Sequence, residues 1–114
     1  MKARFWGVRG SIPAPGPTTA RHGGNTTCIE VRADDGTLVI LDAGTGIFPL
    51  AQDLLRQLPV KAHIFITHSH WDHIQGLPFF TPIYIPGNSL RIHGGFDVVA
   101  GRGIDRVMEV QMQY

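Results

Sequence analysis

The pattern of apolar and polar positions predicts a sheet interrupted by one helix and followed by another. Alternation or short apolar runs predict strands at residues 3–6, 26–32, 37–41, 62–67 and 90–95. Residues 47–58 carry apolar side chains at helical spacing, with Pro49 acceptable only in the first turn and Pro59 ending the helix. A second helix is predicted at 104–112. We expect the apolar strand at 37–41 to be buried on both faces, or nearly so.

The connections between these elements favour a mixed sheet with helices on one face. Asp34-Asp35-Gly36 is a hairpin turn sequence, whereas strands that flank the first helix need a crossover. The order β-β-β-α-β is therefore typical of an α/β fold. The proline-rich loop at 8–24 is either a surface connection or the rim of an active site.

A second proline-rich stretch, residues 77–87, excludes a regular helix. Its aromatic residues Phe79, Phe80 and Tyr84 are predicted to pack in the core. The alternative is that one of them lines a substrate cleft.

Candidate chemistry is concentrated in six residues, His68-Ser69-His70-Trp71-Asp72-His73, which follow the strand at 62–67. Because residues i and i+2 of an extended segment point the same way, His68 and His70 can reach one metal ion. Asp72 and His73 come next, where the chain must turn, so their side chains would point toward a second metal ion. Imidazole nitrogen and carboxylate oxygen suit zinc, and manganese, iron or nickel accept the same ligands. The alternative is an exposed loop in which Asp72 caps a short helix that begins near His73.

Three segments resemble the metallo-β-lactamase superfamily. Residues 67–76 (THSHWDHIQG) resemble its signature loop, and 38–46 (LVILDAGTG) resemble its strand that ends in an aspartate and a glycine turn. Residues 5–13 and 23–28 resemble the opening of the phosphodiesterase-like branch, which includes relatives of the tRNA 3′-processing endonucleases and of cyclic phosphodiesterases. The resemblance extends from about residue 3 to residue 86.

This resemblance implies an αβ/βα sandwich of which the chain forms one half. It implies two divalent metal ions, the first bound by His68 and His70 and the second by Asp72 and His73. Asp72 would also act on the proton of the attacking water. Asp42 would orient the metal loop by hydrogen bonding.

The resemblance also implies ligands that the chain does not supply: a further histidine for each metal and a bridging aspartate. After His73 the chain has one histidine, His93, and the resemblance places it on a scaffold strand. We therefore expect residues 1–114 to be the N-terminal part of a single truncated domain, with weak metal binding and poor hydrolysis on its own. Its open apolar sheet face predicts a homo-oligomer or pairing with a missing C-terminal half.

Composition narrows the remaining alternatives. The 114 residues are 43% hydrophobic and 17% charged, which predicts a packed core. A net charge of +1 without a Lys/Arg run does not support a nucleic-acid partner. The single cysteine, Cys28, is predicted to be a buried strand residue. No leader-like or membrane-length apolar run is present, so we expect a cytoplasmic protein with no membrane partner.

Together these observations favour a metal-dependent hydrolase of a small or nucleotide-like phosphodiester. Arg9, Arg21 and His22 of the long loop are candidates for binding the anionic substrate. The alternatives are an ester, lactone or thioester hydrolase of the same superfamily, a non-catalytic half that acts as an assembly partner, and a nucleic-acid binder.

Overall fold

The computed structural model describes residues 1–95 and 103–112, which form a single five-stranded sheet and its helices. The strands are β1 (Lys2–Gly7), β2 (Cys28–Arg32), β3 (Leu38–Leu41), β4 (Lys61–Ile66) and β5 (Ser89–Gly94). The α-helices are α1 (Ile47–Leu54), α2 (Trp71–Ile74) and α3 (Ile104–Gln111), and 3₁₀ turns occur at Pro17–Thr19, Leu77–Phe79 and Thr81–Tyr84. The predicted mixed α/β sheet is confirmed, and it is consistent with half of a metallo-β-lactamase-type sandwich.

The strands lie in chain order, and their pairing changes from antiparallel to parallel at β3. β1, β2 and β3 are antiparallel, and β3, β4 and β5 are parallel. The predicted hairpin turn joins β2 to β3, and Gly36 adopts φ 88° there, which glycine tolerates without strain. α1 makes the crossover between the parallel strands β3 and β4. As a result, the carboxyl ends of β3 and β4 meet at one edge of the sheet.

One face of the sheet, which we call the covered face, carries the core. The apolar stripe of α1 packs there, as predicted, through Ile47, Leu50, Ala51 and Leu54. Ile74 of α2 and Met108 of α3 join the same core, so all three helices contribute to this face. The fully buried side chains also include Ile40, Ile64, Phe80 and Cys28.

α1 ends earlier than predicted, at Leu54 instead of Leu58. The amides of Arg56 and Gln57 bond to carbonyls three residues back, a tighter turn than an α-helix makes. Leu58 is 44% exposed and precedes Pro59, which disfavours helical geometry at Leu58. The helical spacing of apolar residues in the sequence therefore extends further than the helix itself.

The opposite face, which we call the open face, carries apolar side chains that the described residues leave half-buried or exposed. Its larger members are Phe5, Ile29, Val31, Val39, Leu41 and Phe65. β3 is expected to be buried on both faces or nearly so; Leu38 and Ile40 are buried, whereas Val39 and Leu41 on the open face are half-buried, so the expectation is met in full on one face only. No described helix is long and apolar enough to cross a membrane.

Candidate metal centre

The predicted metal loop, residues 67–76, leaves the carboxyl end of β4 and enters α2 at Trp71. His70 occupies the N-cap position of α2, and Asp72 lies within its first turn. No side chain caps this helix, so the alternative in which Asp72 serves as a helix cap is not observed. The loop is held against the chain that follows β3 by two backbone hydrogen bonds: Ala43 N donates to His73 O, and Gly76 N donates to Ala43 O.

Asp42 is the buried anchor of this loop. It follows β3 with φ 64°, a conformation that aspartate tolerates better than most residues, and it is 3% exposed. Its carboxylate lies within hydrogen-bond distance of three groups: Thr67 N at 2.8 Å, Thr67 Oγ1 at 2.9–3.0 Å and His73 Nδ1 at 2.8 Å. Both oxygens of a buried carboxylate therefore have partners, as burial requires.

These contacts set the tautomers of two histidines. Because the Asp42 carboxylate only accepts, the bond to His73 places the proton on Nδ1 and leaves the lone pair on Nε2. The Thr67 hydroxyl donates to Asp42, so at 3.0 Å from His68 Nδ1 it accepts the proton that this nitrogen carries. His68 and His73 thus both present a free Nε2, the state that binds a metal ion.

The imidazole rings of the loop cluster around His68. Its ring centroid lies 4.6 Å from that of His70 and 4.1 Å from that of His73. His73 Nε2 is 3.4 Å from Asp72 Oδ2. Two atoms that each lie about 2.1 Å from a tetrahedrally coordinated zinc are about 3.4 Å apart, so this pair fits one ion.

Asp72 is held from the other side by the long loop. Ser11 N donates to Asp72 Oδ2 at 3.0 Å, and this hydrogen bond is the largest cause that lowers the pKa of the Asp72 carboxyl below its ordinary value. Asp72 is therefore ionised at neutral pH. The contact also places Ser11, and with it part of the loop at 8–24, at the rim of the candidate site.

The three residues proposed for substrate binding are less closely connected to the metal loop than Ser11 is. Arg9 Nε donates to Ile12 O, so this side chain supports the shape of the long loop. Arg21 and His22 are exposed. Within residues 1–95 and 103–112, no hydrogen bond or ion pair joins any of the three side chains to the metal loop.

The loop offers ligands in pairs. In the described part of the chain, no three His, Cys, Asp or Glu side chains are arranged to hold one metal ion. A cleft of about 260 Å³ lies beside the loop and is lined by His68, Ser69, His70, Ile104 and Val107, among others. Solvent can therefore reach the rings of His68 and His70.

The two strand histidines and the cysteine lie on opposite faces of the sheet. His63 and His93 form a pair on the open face, with Nδ1 and Nε2 3.0 Å apart. Both are half-buried strand residues, and His93 lies on β5, in agreement with the scaffold strand that the resemblance implies. Cys28 is fully buried, as predicted, and burial raises the pKa of its thiol far above the ordinary value.

Two residues at the site were missed by the sequence reasoning. Thr67 carries the hydroxyl between Asp42 and His68, and Ser11 carries the amide that binds Asp72. Thr67 had a local signal, because it immediately precedes the first histidine. Ser11 had none, since it lies 61 residues before its partner and adopts φ 73°.

Comparisons with known proteins give one match. The family model of the metallo-β-lactamase superfamily matches residues 21–94, more than half of the chain. Comparison with curated proteins finds no match, and neither does comparison with solved structures. The matched span includes β2 to β5, the anchor Asp42 and the entire metal loop. The chain belongs to the metallo-β-lactamase superfamily.

Proposed function

We propose that the chain carries half of a binuclear metal site that hydrolyses phosphodiesters. Membership of the superfamily supports a metal-dependent hydrolase in general. The observation that carries the finer proposal is the pair of Nδ1 contacts, His73 Nδ1 with Asp42 and His68 Nδ1 with Thr67, which leave the two Nε2 atoms available to metal ions.

Each member of the loop has a distinct role in this proposal. His68 and His70 hold the first metal ion, and Asp72 and His73 hold the second. Zinc suits this donor set, although manganese, iron or nickel would accept it. When bound, such metals lower the pKa of water toward ~7 and neutralise developing negative charge.

The other residues position the ligands and handle protons. Asp42 orients His73 directly and His68 through Thr67. Asp72 is ionised at neutral pH, so it can accept the proton of the attacking water. Ser11 N keeps one oxygen of that carboxylate in place at 3.0 Å.

A phosphodiester is the proposed substrate class because of the N-terminal resemblance and the long loop. That loop reaches the site through Ser11, and it carries Arg9, Arg21 and His22 as candidate contacts for an anionic substrate. An ester, lactone or thioester hydrolase uses the same metal loop and is the second candidate. The near-neutral charge of the chain gives a nucleic-acid substrate no support.

We also propose that further polypeptide completes the site. The loop supplies ligands in pairs, whereas a catalytic zinc usually has three protein ligands. The open face ends at the same edge as the metal loop, so a second half-domain packed there would lie next to the site. A second copy of the chain is the other candidate for this position. The cytoplasmic location stays a prediction.

The metal content of the purified chain tests the binuclear site. Equilibrium dialysis against Zn²⁺, which also detects weak binding, should show metal on the parent chain that is lost from the His68→Ala/His70→Ala variant. The matched control is His63→Ala/His93→Ala, which removes the same number of imidazoles from the open face and should retain the metal. Equal loss from both variants, or no metal in the parent chain, would contradict a metal site in this loop.

The substrate class needs a separate assay. Chain loaded with metal should cleave bis(p-nitrophenyl) phosphate faster than p-nitrophenyl acetate when both are corrected for background hydrolysis. Sedimentation at the same concentration shows whether the active species contains two copies. Faster cleavage of the acetate would favour the second candidate, and metal binding without cleavage of either would favour a non-catalytic assembly partner.

A further inference from the structure

A groove formed by α1, α2 and the 3₁₀ turn after α2 has three exposed aromatic walls. Phe48, Trp71 and Phe79 are 51%, 61% and 63% exposed and line one space of about 420 Å³. This space is larger than the cleft beside His68 and His70. Single exposed apolar residues are ordinary, but three large rings around one concave space are typical of a binding surface.

Two amide side chains, Asn25 and Gln75, add directional hydrogen-bonding groups to the same groove. Asn25 Oδ1 lies 3.1 Å from the Thr45 hydroxyl, which can donate to it, so the Asn25 amide nitrogen remains as a donor. Gln75 Nε2 donates to Thr26 Oγ1 at 3.3 Å, which leaves the Gln75 amide oxygen as an acceptor. Within the described residues neither of these remaining atoms has a protein partner.

The threonines that orient the two amides are themselves fixed. Thr26 N donates to Thr45 Oγ1, and Thr45 N donates to Thr26 Oγ1, both at 2.8 Å. This reciprocal pair joins the chain before β2 to the chain after β3. The donor and the acceptor of the groove are therefore held by the same backbone that supports the metal loop.

We propose that this groove binds the nucleobase of a nucleotide phosphodiester. Base rings stack on aromatic side chains, and a base edge that carries a donor beside an acceptor matches the Gln75 oxygen and the Asn25 amide nitrogen. None of the residues that line the groove is charged, so it suits the base and not the phosphate. Trp71 lies between His70 and Asp72 in the chain, which places the groove beside the proposed metal ligands.

The nucleotide part of this inference rests on the proposed phosphodiesterase function, but base binding can be measured without it. Adenosine is the probe because it carries a base edge with a donor and an acceptor, and no phosphate. Calorimetric titration of the 114-residue chain should show binding, and purine riboside, which lacks the amino group, should bind several-fold more weakly. Ribose 5-phosphate, which has no base, should not compete.

Variants assign the binding to the groove. Trp71→Ala and Phe79→Ala should each weaken adenosine binding by roughly tenfold or more, which is the scale of one stacking contact. Asn25→Asp keeps an oxygen for the Thr45 hydroxyl but removes the amide donor, so it should weaken binding several-fold. The matched control is Phe5→Ala, which removes a 65%-exposed ring from β1 and should have no effect.

The possible results separate the two proposals. Absence of adenosine binding, or binding that is insensitive to Trp71→Ala and Phe79→Ala, overturns the nucleobase site. If those variants instead weaken self-association, the groove is a contact between copies, and the inference is equally overturned. Adenosine binding with the expected variant pattern supports the groove even if no phosphodiester is cleaved, in which case only the proposed reaction fails.

Discussion

Two groups of histidines in this chain pack closely, yet they differ in what holds their rings. His68 and His73 are oriented by hydrogen bonds that lead to the buried carboxylate of Asp42. His63 and His93 hydrogen-bond to each other, and the His93 ring stacks on Phe65 with centroids 4.5 Å apart. The first pair therefore has free Nε2 lone pairs, whereas the second uses a nitrogen of each ring to bind the other.

The comparison shows that proximity alone does not make histidines into ligands. A ring nitrogen is available to a metal when the other nitrogen has a partner that takes its proton in a hydrogen bond. A carboxylate at the end of the neighbouring strand supplies that partner at the metal loop. On the open face one ring of the His63–His93 pair accepts the proton of the other, and no carboxylate of the described residues fixes which ring does so.

The largest effect is expected from a substitution that disturbs the packing of the metal loop against the chain that follows β3. A methyl group at Gly76 would collide with the carbonyl of Gly44 and with Ile47, and the bond from Gly76 N to Ala43 O restricts retreat. Gly76→Ala should lower the free energy of unfolding by about 2–3 kcal/mol, as overpacking does. Urea denaturation measures this loss.

Gly10→Ala is the matched control, because no atom lies within 4 Å of the added methyl group. It should change the free energy of unfolding by less than about 0.5 kcal/mol. Equal stability of the two variants would show that the loop does not pack on β3 as closely as described.

The next largest effect is expected from a substitution of Asp42, whose carboxylate orients His68 and His73 but not His63 and His93. Asparagine tolerates the positive φ of residue 42 but offers one acceptor oxygen where the carboxylate offers two. Asp42→Asn should weaken metal binding by about 10–100-fold, as measured by competition with a chelator. Glu30→Gln, at the other buried carboxylate, should leave metal affinity unchanged. A matching loss in both variants would point to general destabilisation instead of ligand orientation.

A smaller effect is expected from the hydroxyl between Asp42 and His68. Thr67→Val keeps the shape of the side chain and removes the partner of His68 Nδ1, so metal affinity should fall several-fold. The free energy of unfolding should fall by about 1 kcal/mol, the net value of one hydrogen bond. Thr67→Ser restores the hydroxyl and should recover most of both losses. Failure of serine to recover metal affinity would assign the effect to the methyl group.

The difference between two coupling energies sharpens the comparison directly. Double-mutant cycles with alanine should give a coupling energy of about 1.5–3 kcal/mol for Asp42 with His73, because one partner is charged and buried. The neutral pair His63 and His93 should give about 1 kcal/mol or less. Denaturation of the single and double variants measures both values. Equal coupling energies would mean that the carboxylate is not what distinguishes the two groups.

Most of the scaffold was predictable because its signals are local. All five predicted strands exist, the first helix begins at Ile47, and the last begins at Ile104. The predictions were wrong, or met only in part, where the burial of side chains in the tertiary structure does not follow the apolar spacing of the sequence. α1 stopped four residues before the predicted end, and β3 is fully buried on one face only. Of the aromatic residues predicted to pack in the core, Phe80 is fully buried, but Phe79 and Tyr84 are exposed.

The candidate site likewise has a part that the sequence predicts and a part that it does not. The ligand candidates lie within six consecutive positions, so their spacing along the strand exit is readable from the sequence. Their supports are not local: Thr67 bonds to a residue 25 positions earlier, and Asp72 is bonded by a residue 61 positions earlier. The groove of Phe48, Trp71 and Phe79 is likewise assembled from separate elements, and of its three rings only Phe79 lies in a segment that the sequence analysis considered for a substrate cleft.

The sequence by itself determined the residue types, their order and the elements that carry them, because spacing and side-chain chemistry are properties of short segments. Only the tertiary structure decided which histidine nitrogens are free. That choice depends on β3 and β4 being parallel neighbours, which brings Asp42 to the start of the metal loop. A hydrogen bond acts over about 3 Å, so its partner is settled by the arrangement of the strands and not by distance along the chain.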